Sequence, residues 1–311
     1  MLTPSTYIRY IVVLSVLICT STSATQAQHP PEPTVISSST NHSQNEWRSP
    51  DSDNLIYMQL ETGLVIMELA PFMSPMNVAQ FKNLVMDRFY DGLDFYRVID
   101  GFVAQGGDVS ESKQHKYSKQ LPAELSRSSS RSLSEKAPSE EFMVVQSPDF
   151  MAPQTGFLNG FAAGRDQQAN KEWLVHCPGV VAMGRNNALN TASTEFYITI
   201  GQATRHLDRN MSVLGKVIYG MDHVQSIKRA SVNVPSGVIE DPTKRTGIVW
   251  VKLAHDVPSQ DRIHVQVQNE YSDAVISRLD GGRTLGNEFF HFKGNGNLDV
   301  CYYNLKTRII K

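Results

Sequence analysis

Alternating apolar residues on both sides of a glycine turn are the feature of this sequence that most restricts its fold. Apolar side chains occupy every second position of residues 56–60 and again of residues 65–69, and Glu61-Thr62-Gly63 separates the two runs. A period of two places one set of side chains on one face of a strand. Glycine accepts the positive φ angle that a tight turn needs. The pattern therefore predicts a β-hairpin with a buried face.

Short strands and isolated helices are predicted after the hairpin. Ser74-Pro75 suits the start of a helix that stops at Asp91-Gly92, and residues 221–230 predict another helix. Strand patterns occupy residues 93–98, 179–183, 195–201, 213–219 and 248–253. Short strands, few helices and glycine-rich turns favour a mainly β barrel with helical caps.

The N-terminus has the pattern of a secretory signal peptide. Arg9 precedes the apolar run 11–18, and small residues then lead to Thr25-Gln26-Ala27. A membrane-spanning helix needs about 20 apolar residues, and this run is shorter. We therefore expect residues 1–27 to be removed after Ala27, with cleavage after Ala24 as the alternative, and the mature protein to be periplasmic or secreted.

Composition divides the remaining chain into a linker, a domain and an extension. Residues 28–52 are rich in Pro, Ser and Asn and predict a flexible linker. The predicted domain spans 53–257, and 258–311 form an extension with no readable fold. An insertion at 109–171 begins as a Ser-, Lys- and Glu-rich loop and continues as an irregular segment. Its apolar residues Phe150, Phe157, Leu158 and Phe161 are expected to pack on the domain.

Export would affect the oxidation state of the cysteines. Cys177 and Cys301 remain after removal of the signal peptide. An oxidising compartment makes these two residues candidates for a disulfide. Two buried free thiols are the alternative.

The overall composition excludes several classes of function. The chain has 19% charged residues and a formal net charge of -2, which gives no reason to expect nucleic acid or a membrane surface as a partner. The sequence has no HExxH, GxSxG, phosphate-binding loop or CxxC motif, and its 9 His lack metal-ligand spacing. We therefore expect no metal and no cofactor, and the protein is expected to be a monomer.

One stretch combines unusual residue types. Residues 95–108 read FYRVIDGFVAQGGD, in which Arg97 interrupts an apolar strand and Gln105 precedes a double glycine. Taken alone, Arg97 could equally be a strand-edge residue that pairs with an acid at the surface.

The stretch 95–108 resembles the signature of the cyclophilin family of peptidyl-prolyl isomerases. Residues 183–186 with 193–198 look like the family's second pocket strand. Residues 206–208 with 213–222 are similar to its third motif. The resemblance implies a closed eight-stranded antiparallel barrel capped by two helices, and cis/trans isomerisation of X-Pro bonds in unfolded or partly folded polypeptides. Residues 152–157, with 160–163 and Trp173-Leu174, are similar to a bacterial exported branch with a long insertion and a C-terminal extension.

The resemblance also assigns roles. Arg97 would be the catalytic residue, and Gln105 would hydrogen-bond the substrate backbone. The main chain around Arg185 would hold the residue before proline. The implied proline pocket consists of Phe102, Val103, Tyr197 and Leu207. The full implied substrate-binding set is Phe102, Val103, Gln105, Gly184, Arg185, Asn186, Glu195, Tyr197, His206, Leu207 and Met211.

Several of these positions depart from the family pattern. The family often has Gln where Glu195 stands, Phe at Tyr197 and Trp at His206. Glu195 is expected to be able to pair with Arg97, and His206 implies weak binding of cyclosporin. A non-catalytic module or chaperone that binds proline-containing segments is the alternative function.

Overall fold

The computed structural model describes residues 46–109, 113, 115–129, 142–202 and 204–310, so the predicted signal peptide and most of the predicted linker lie outside it. The strands are β1 (Trp47–Arg48), β2 (Leu55–Leu60), β3 (Gly63–Leu69), β4 (Asp94–Ile99), β5 (Val103–Gly107), β6 (Arg127–Ser128), β7 (Met143–Gln146), β8 (Gln154–Leu158), β9 (Phe161–Asp166), β10 (Lys171–Leu174), β11 (Val180–Met183), β12 (Phe196–Thr199), β13 (Val213–Tyr219), β14 (Thr246–Leu253), β15 (His264–Gln268) and β16 (Thr307–Ile310). The helices are α1 (Pro75–Met86), α2 (Met221–Gln225) and α3 (Asp273–Thr284).

Strands of the predicted domain close into a barrel. Their order is β11-β12-β5-β4-β14-β2-β3-β13, with antiparallel neighbours. The hairpin of β2 and β3 is as predicted, and Gly63 at its turn has a φ of 143°. Alternate side chains such as Ile56, Met58 and Met67 are fully buried in the barrel core. The closed eight-stranded barrel confirms the predicted fold class.

Helix α1 begins at Pro75 as predicted, but Ser74 does not cap it with its side chain. The carboxylate of Glu124 accepts hydrogen bonds from the backbone N–H groups of Met76 and Asn77 instead. A carboxylate suits this position because the first N–H groups of a helix have no partner within the helix.

Helix α2 is shorter than predicted and ends at Gln225 rather than near residue 230. The backbone N–H of Lys228 donates to the Thr246 hydroxyl, and that of Ala230 donates to the Val98 carbonyl. These bonds to the barrel replace the helical ones. None of the described helices has the length and apolar character needed to cross a lipid bilayer.

The second half of the insertion is an ordered sheet, so the prediction of an irregular segment at 142–171 was wrong. Its antiparallel strand order is β6-β10-β9-β8-β7. Small residues permit the close packing: a Cβ atom on Gly156 would lie 1.9 Å from the Met143 carbonyl oxygen, and one on Gly164 would lie 2.4 Å from the Trp173 ring. Glycines that suggest loops are here required by tight contacts.

The apolar residues of the insertion differ in how far they are buried. Phe157, Leu158 and Phe161 are buried, as expected. Phe150 is 72% exposed, so the expectation that it packs on the domain was wrong. It lies in the turn between β7 and β8, which lifts its ring away from the sheet core.

The C-terminal extension forms a small sheet with the start of the described chain. Strand β15 lies between β1 and β16. Trp47–Arg48, placed by composition inside the linker, therefore belong to the folded unit. A disulfide joins Cys177 to Cys301 across a sequence separation of 124, with Cα atoms 5.0 Å apart, and it ties the extension to the residues that precede β11.

Four charged side chains and one backbone residue link the parts of the molecule. We call Arg48, Glu68, Lys216, Glu270 and the main chain of Gly160 the charged junction. The Arg48 guanidinium donates to both carboxylate oxygens of Glu68, at 2.5 and 2.9 Å. Lys216 Nζ donates to the Gly160 carbonyl, and the Gly160 N–H donates to Glu270. Burial lowers the pKa of Lys216 to about 8. The junction joins β1, the barrel, the insertion and the extension.

Candidate functional site

Three neighbouring barrel strands place the predicted polar and apolar site residues in one row. Arg97 on β4 lies opposite Gln105 on β5, and Gln105 lies opposite Tyr197 on β12. Residues opposite each other in a ladder point to the same face of the sheet. The barrel register therefore brings together residues that are up to 100 positions apart in the chain.

Arg97 is half-buried and has partners on one side. Its Nε donates to the carbonyl oxygen of Ser236 at 2.9 Å, and its Nη1 donates to Gln105 Oε1 at 3.1 Å. Within the described part of the chain, Nη2 makes no hydrogen bond. A guanidinium has five N–H donors in a fixed plane. Arg97 is thus oriented by the protein and still has donors for a ligand.

Tyr96 also holds the Gln105 side chain in place by a hydrogen bond. Sequence reasoning did not predict this role of Tyr96. Gln105 Nε2 donates to the Tyr96 hydroxyl at 2.6 Å, while Gln105 Oε1 accepts from Arg97. Consecutive strand residues normally face opposite sides. The register of β4 and β5 shifts between Asp94 and Arg97, and such a bulge can redirect a side chain. The motif alone gives no signal for this shift.

An apolar wall lies beside the row. Val103 and Tyr197 are buried, and the partly buried Phe102, Leu207 and Met211 pack against the same cluster. The predicted pocket residues are therefore in one cluster.

His206, where the family often has Trp, lies at the edge of this wall. Its ring stacks on Phe102 with centroids 5.4 Å apart and planes 15° apart. His206 is exposed, whereas Leu207, the next residue, is partly buried. The imidazole thus covers one side of Phe102 with a smaller ring than an indole would.

The hydroxyl of Tyr197 bonds His176, which in turn contacts Asp208. Sequence reasoning did not assign this role to either residue. The hydroxyl shares a 2.9 Å hydrogen bond with His176 Nε2, and His176 Nδ1 lies 3.1 Å from Asp208 Oδ1. His176 is fully buried, and burial raises the pKa of Tyr197 well above its usual value. A buried tyrosine needs a hydrogen-bond partner, which is the signal that could have pointed to a polar neighbour. The pair fixes the ring that forms the wall.

Gly184, directly after β11, lies close to Glu195 and to Gln105 of the row. Its N–H donates to the Glu195 carbonyl at 2.7 Å. A Cβ atom here would lie 2.9 Å from the Glu195 Cβ and 3.3 Å from Gln105 Nε2. A side chain at this position would push against Gln105.

The loop after β11 is held by its own side chains. Arg185 Nε donates to the Asn210 carbonyl and its Nη1 donates to the Asn186 carbonyl. The Asn186 N–H donates to the Thr191 hydroxyl at 3.0 Å. Arg185 therefore supports the loop whose main chain is expected to hold the residue before proline.

Glu195 does not pair with Arg97, contrary to the expectation from the sequence. The register places Gln105 opposite Arg97, and the Ser236 carbonyl takes the Nε donor. The Glu195 carboxyl group lies against Gly107, and neither of its oxygens has a hydrogen bond of normal geometry.

The environment of Glu195 changes its titration. Burial raises its pKa to about 7, and the nearby Tyr96 and Gln105 offset only part of this rise. A carboxyl group with this pKa is partly neutral at physiological pH. A neutral carboxyl resembles the glutamine that the family often has there.

The site as a whole combines an oriented cation, an amide and an apolar wall. This arrangement fits a small apolar ring that is attached to hydrogen-bonding groups, with the ring against the wall and the polar groups toward Arg97 and Gln105. Among the described residues, no group of three or more His, Cys, Asp or Glu side chains is placed to hold a metal ion.

Comparisons with known proteins agree on one family. Residues 55–252 match the family model described as cyclophilin type peptidyl-prolyl cis-trans isomerase/CLD. A "Probable peptidyl-prolyl cis-trans isomerase" of Brucella suis is 30% identical over 194 residues, which cover 62% of this chain and 81% of the relative. Peptidyl-prolyl cis-trans isomerase B of Bacillus subtilis is 54% identical over 52 residues, or 16% of this chain and 36% of the relative. The crystal structure of cyclophilin AquaCyp293 from Hirschia baltica matches with a TM-score of 0.67 and 28% identity, covering 85% of this chain and 93% of that chain.

Proposed function

This chain belongs to the cyclophilin-type peptidyl-prolyl cis-trans isomerases, and on that premise we propose that Arg97 is its catalytic residue and that its substrates are exported polypeptides that are still folding. The observation that carries the assignment of Arg97 is its position: an oriented guanidinium with an unused donor beside an apolar wall.

Amide rotation explains why this geometry suits the reaction. Turning an amide out of plane costs about 18–20 kcal/mol because C–N resonance is lost. The prolyl nitrogen then becomes pyramidal and gains a lone pair that the planar amide lacks. A hydrogen bond from Arg97 to that lone pair forms only in the twisted state. Such an interaction lowers the barrier because it binds the transition state better than the ground state.

Arg97 supplies part of the acceleration and the apolar wall supplies the rest. Uncatalysed isomerisation takes tens to hundreds of seconds. Reaching milliseconds requires an acceleration of about 10⁴ to 10⁵, or about 5.5–7 kcal/mol. One charge-assisted hydrogen bond contributes about 1.5–3 kcal/mol. The remainder comes from removal of water around the prolyl ring by Phe102, Val103 and Leu207 and from holding one side of the amide still.

Gln105 is the group that we assign to the substrate backbone. Its amide is held at both ends, by Arg97 and by Tyr96. An amide nitrogen has a second proton and an amide oxygen has a second lone pair. Gln105 therefore has one donor and one acceptor that can bind peptide groups next to the proline.

Two features support a role outside the cytoplasm. The first is the N-terminal pattern of Arg9, an apolar run and Thr25-Gln26-Ala27, which is typical of a signal peptide. The second is the disulfide between Cys177 and Cys301, because disulfides persist in oxidising compartments. A folding assistant in such a compartment meets newly exported chains whose X-Pro bonds are not yet in their native isomer.

Substitution of Arg97 tests the catalytic assignment. Arg97→Ala is expected to lower kcat/KM for a proline tetrapeptide about 10- to 150-fold, the equivalent of one charge-assisted hydrogen bond. Arg97→Lys is expected to recover little, because an ammonium lacks the fixed planar donors. Arg308→Ala, a substitution at an exposed arginine of β16, serves as the matched control.

The same experiment separates an enzyme from a binding module. Exchange NMR of the peptide with substoichiometric protein reports turnover directly. Equal exchange rates for wild type and Arg97→Ala would contradict the assignment of Arg97. Binding of the peptide without any exchange in the wild type would favour the non-catalytic module.

Export is tested on the mature protein. Expression of the full chain with its own N-terminus is expected to yield periplasmic protein that begins at Gln28, as measured by intact mass. A cytoplasmic protein that retains residues 1–27 would contradict the proposal.

A further inference from the structure

Two large apolar side chains of the insertion are exposed next to each other. Phe150 is 72% exposed and Met151 is 47% exposed, in the turn between β7 and β8. Scattered apolar surface residues are common and need no explanation. An adjacent pair in a turn that is otherwise firmly held does need one.

The turn is fixed by a buried ion pair. Asp149 Oδ1 accepts hydrogen bonds from Arg205 Nη2 at 2.8 Å and from the Met151 N–H at 2.9 Å. The Asp149 N–H donates to the Ala152 carbonyl at 3.1 Å. The Arg205 guanidinium lies 5.0 Å from the centroid of the Phe150 ring, within the range of a cation–π contact. The Phe150 ring is therefore held in place while most of its surface faces solvent.

The anchor of this turn is continuous with Arg97, Gln105 and the apolar wall, which together we call the proline site. Arg205 and His206 are consecutive residues of one 3-10 helix, and His206 stacks on Phe102. Arg205 Nε also donates to Asp208, which contacts the His176 that holds Tyr197. The same short segment thus supports both the wall of the pocket and the exposed ring.

These contacts limit the distance between Phe150 and His206. Consecutive Cα atoms are about 3.8 Å apart, and an arginine side chain reaches about 7 Å. The Phe150 ring therefore lies within about 16 Å of the His206 Cα atom. An extended peptide covers about 3.3 Å per residue, so this distance corresponds to at most about five residues.

We propose that Phe150 and Met151 form a second contact for the polypeptide substrate and receive an apolar side chain three to five residues from the isomerised proline. The inference rests on the proposed function, because it concerns the same substrate at the same site. The occupant is an unfolded polypeptide, whose apolar side chains are still exposed, and a short tetrapeptide does not reach the turn.

Paired peptides test the proposal. Decapeptides with a single proline carry either Leu or Ser at one position, three to five residues before or after the proline. For wild type, Leu is expected to raise kcat/KM roughly 3- to 10-fold over Ser at one or more of these positions, as partial burial of one apolar side chain would do. The double variant Phe150→Ser/Met151→Ser is expected to lose this preference and to keep the wild-type rate on a tetrapeptide.

A matched control keeps the test specific. Met86 is 50% exposed at the end of α1, and Met86→Ser is expected to keep the preference for Leu. A preference that survives in the double variant would overturn the proposal, and so would a wild type that treats Leu and Ser peptides alike at every position. Failure of the wild type to turn over the tetrapeptide would instead contradict the proposed function. In that case, titration of the same decapeptides with wild type and double variant still decides whether Phe150 and Met151 bind the apolar side chain.

Discussion

The charged junction and the proline site contain the same types of residue in opposite states. In the junction, Arg48 gives both Nη atoms to the carboxylate of Glu68. At the proline site, Arg97 bonds a carbonyl and an amide oxygen and makes no ion pair among the described residues. An arginine that is neutralised by a carboxylate stabilises the fold, whereas one bound only to neutral groups keeps its charge for a ligand.

The two glutamates differ in the same way. Glu68 accepts two hydrogen bonds from a guanidinium, and Glu195 accepts none of normal geometry. Burial raises the pKa of Glu195, and the nearby Tyr96 and Gln105 offset only part of that rise. The charged junction and the proline site therefore contain the same residue types. They differ in whether the arginine and the glutamate are bonded to each other.

Removal of the disulfide should have the largest effect. Cys177 lines the same small cavity as Lys216, so the disulfide and the junction stabilise neighbouring parts of the fold. Cys177→Ser/Cys301→Ser is expected to lower the free energy of unfolding by about 4 kcal/mol, because the disulfide restricts a long loop of the unfolded chain. Denaturant titration measures this loss.

Activity should respond differently to the same change. The Thr199 hydroxyl donates to the Cys177 carbonyl and the Thr204 hydroxyl donates to the His176 carbonyl, so the main chain near the pocket keeps its bonds without the disulfide. The kcat/KM of the folded double variant is expected to stay within about twofold of wild type. A loss of kcat/KM comparable to that of Arg97→Ala would contradict the view that the disulfide stabilises the fold without serving catalysis.

Arg48→Ala is expected to have the next largest effect. It leaves the buried Glu68 carboxylate without its guanidinium and should lower the free energy of unfolding by about 3 kcal/mol. Arg97→Ala should change it by less than about 1 kcal/mol, since Arg97 is half-buried and pairs with no carboxylate among the described residues. Thermal unfolding of both variants beside peptide turnover gives the comparison, and equal losses of stability would refute it.

Glu195→Gln should have the smallest effect, and its sign depends on pH. The folded-state pKa of Glu195, about 7, lies above the ordinary value of 4.5, so the folded protein binds the proton more tightly than the unfolded chain. Wild type therefore loses stability as pH rises from about 4.5 to 7, and the variant does not. The Tm of the variant relative to wild type is expected to grow over this range and then level off.

The same substitution should also alter the pH profile of turnover. Deprotonation of Glu195 places a negative charge beside Tyr96 and Gln105, which hold the substrate-binding row. The kcat/KM of wild type is expected to fall as pH rises through 7, and that of Glu195→Gln is expected to stay level. Identical profiles would show that the unpaired carboxyl does not affect catalysis.

The parts of the fold that the sequence predicted are those with a local signal. The hairpin of β2 and β3 follows from alternation over a few residues, and the start of α1 follows from Pro75. The site residues on β4, β5 and β12 were found through their motifs. The contacts among them depend on strand register, which local pattern does not encode: a bulge brings Tyr96 to Gln105, and the same register keeps Glu195 from Arg97.

The insertion shows why the rest could not be predicted. Strands β8 and β9 are built from Gly156, Ala162, Ala163 and Gly164, whose small side chains show no strong alternation. Their need for smallness arises from distant partners such as Trp173. The exposed position of Phe150 likewise depends on Arg205, which lies 55 positions away in the sequence and anchors the turn through Asp149. Tertiary contacts of this kind override local preference.

Strand β15 sits between the first and the last strands of the described chain, and this has a consequence for the timing of folding. All eight barrel strands have been synthesised by Leu253, whereas the partner that β1 requires arrives only at His264–Gln268 and the outer strand only at Thr307–Ile310. A chain that is synthesised from the N-terminus onward can therefore close the catalytic barrel first. Strand β1 can pair with β15 only afterwards. During that interval Trp47 and Arg48 have no sheet to join.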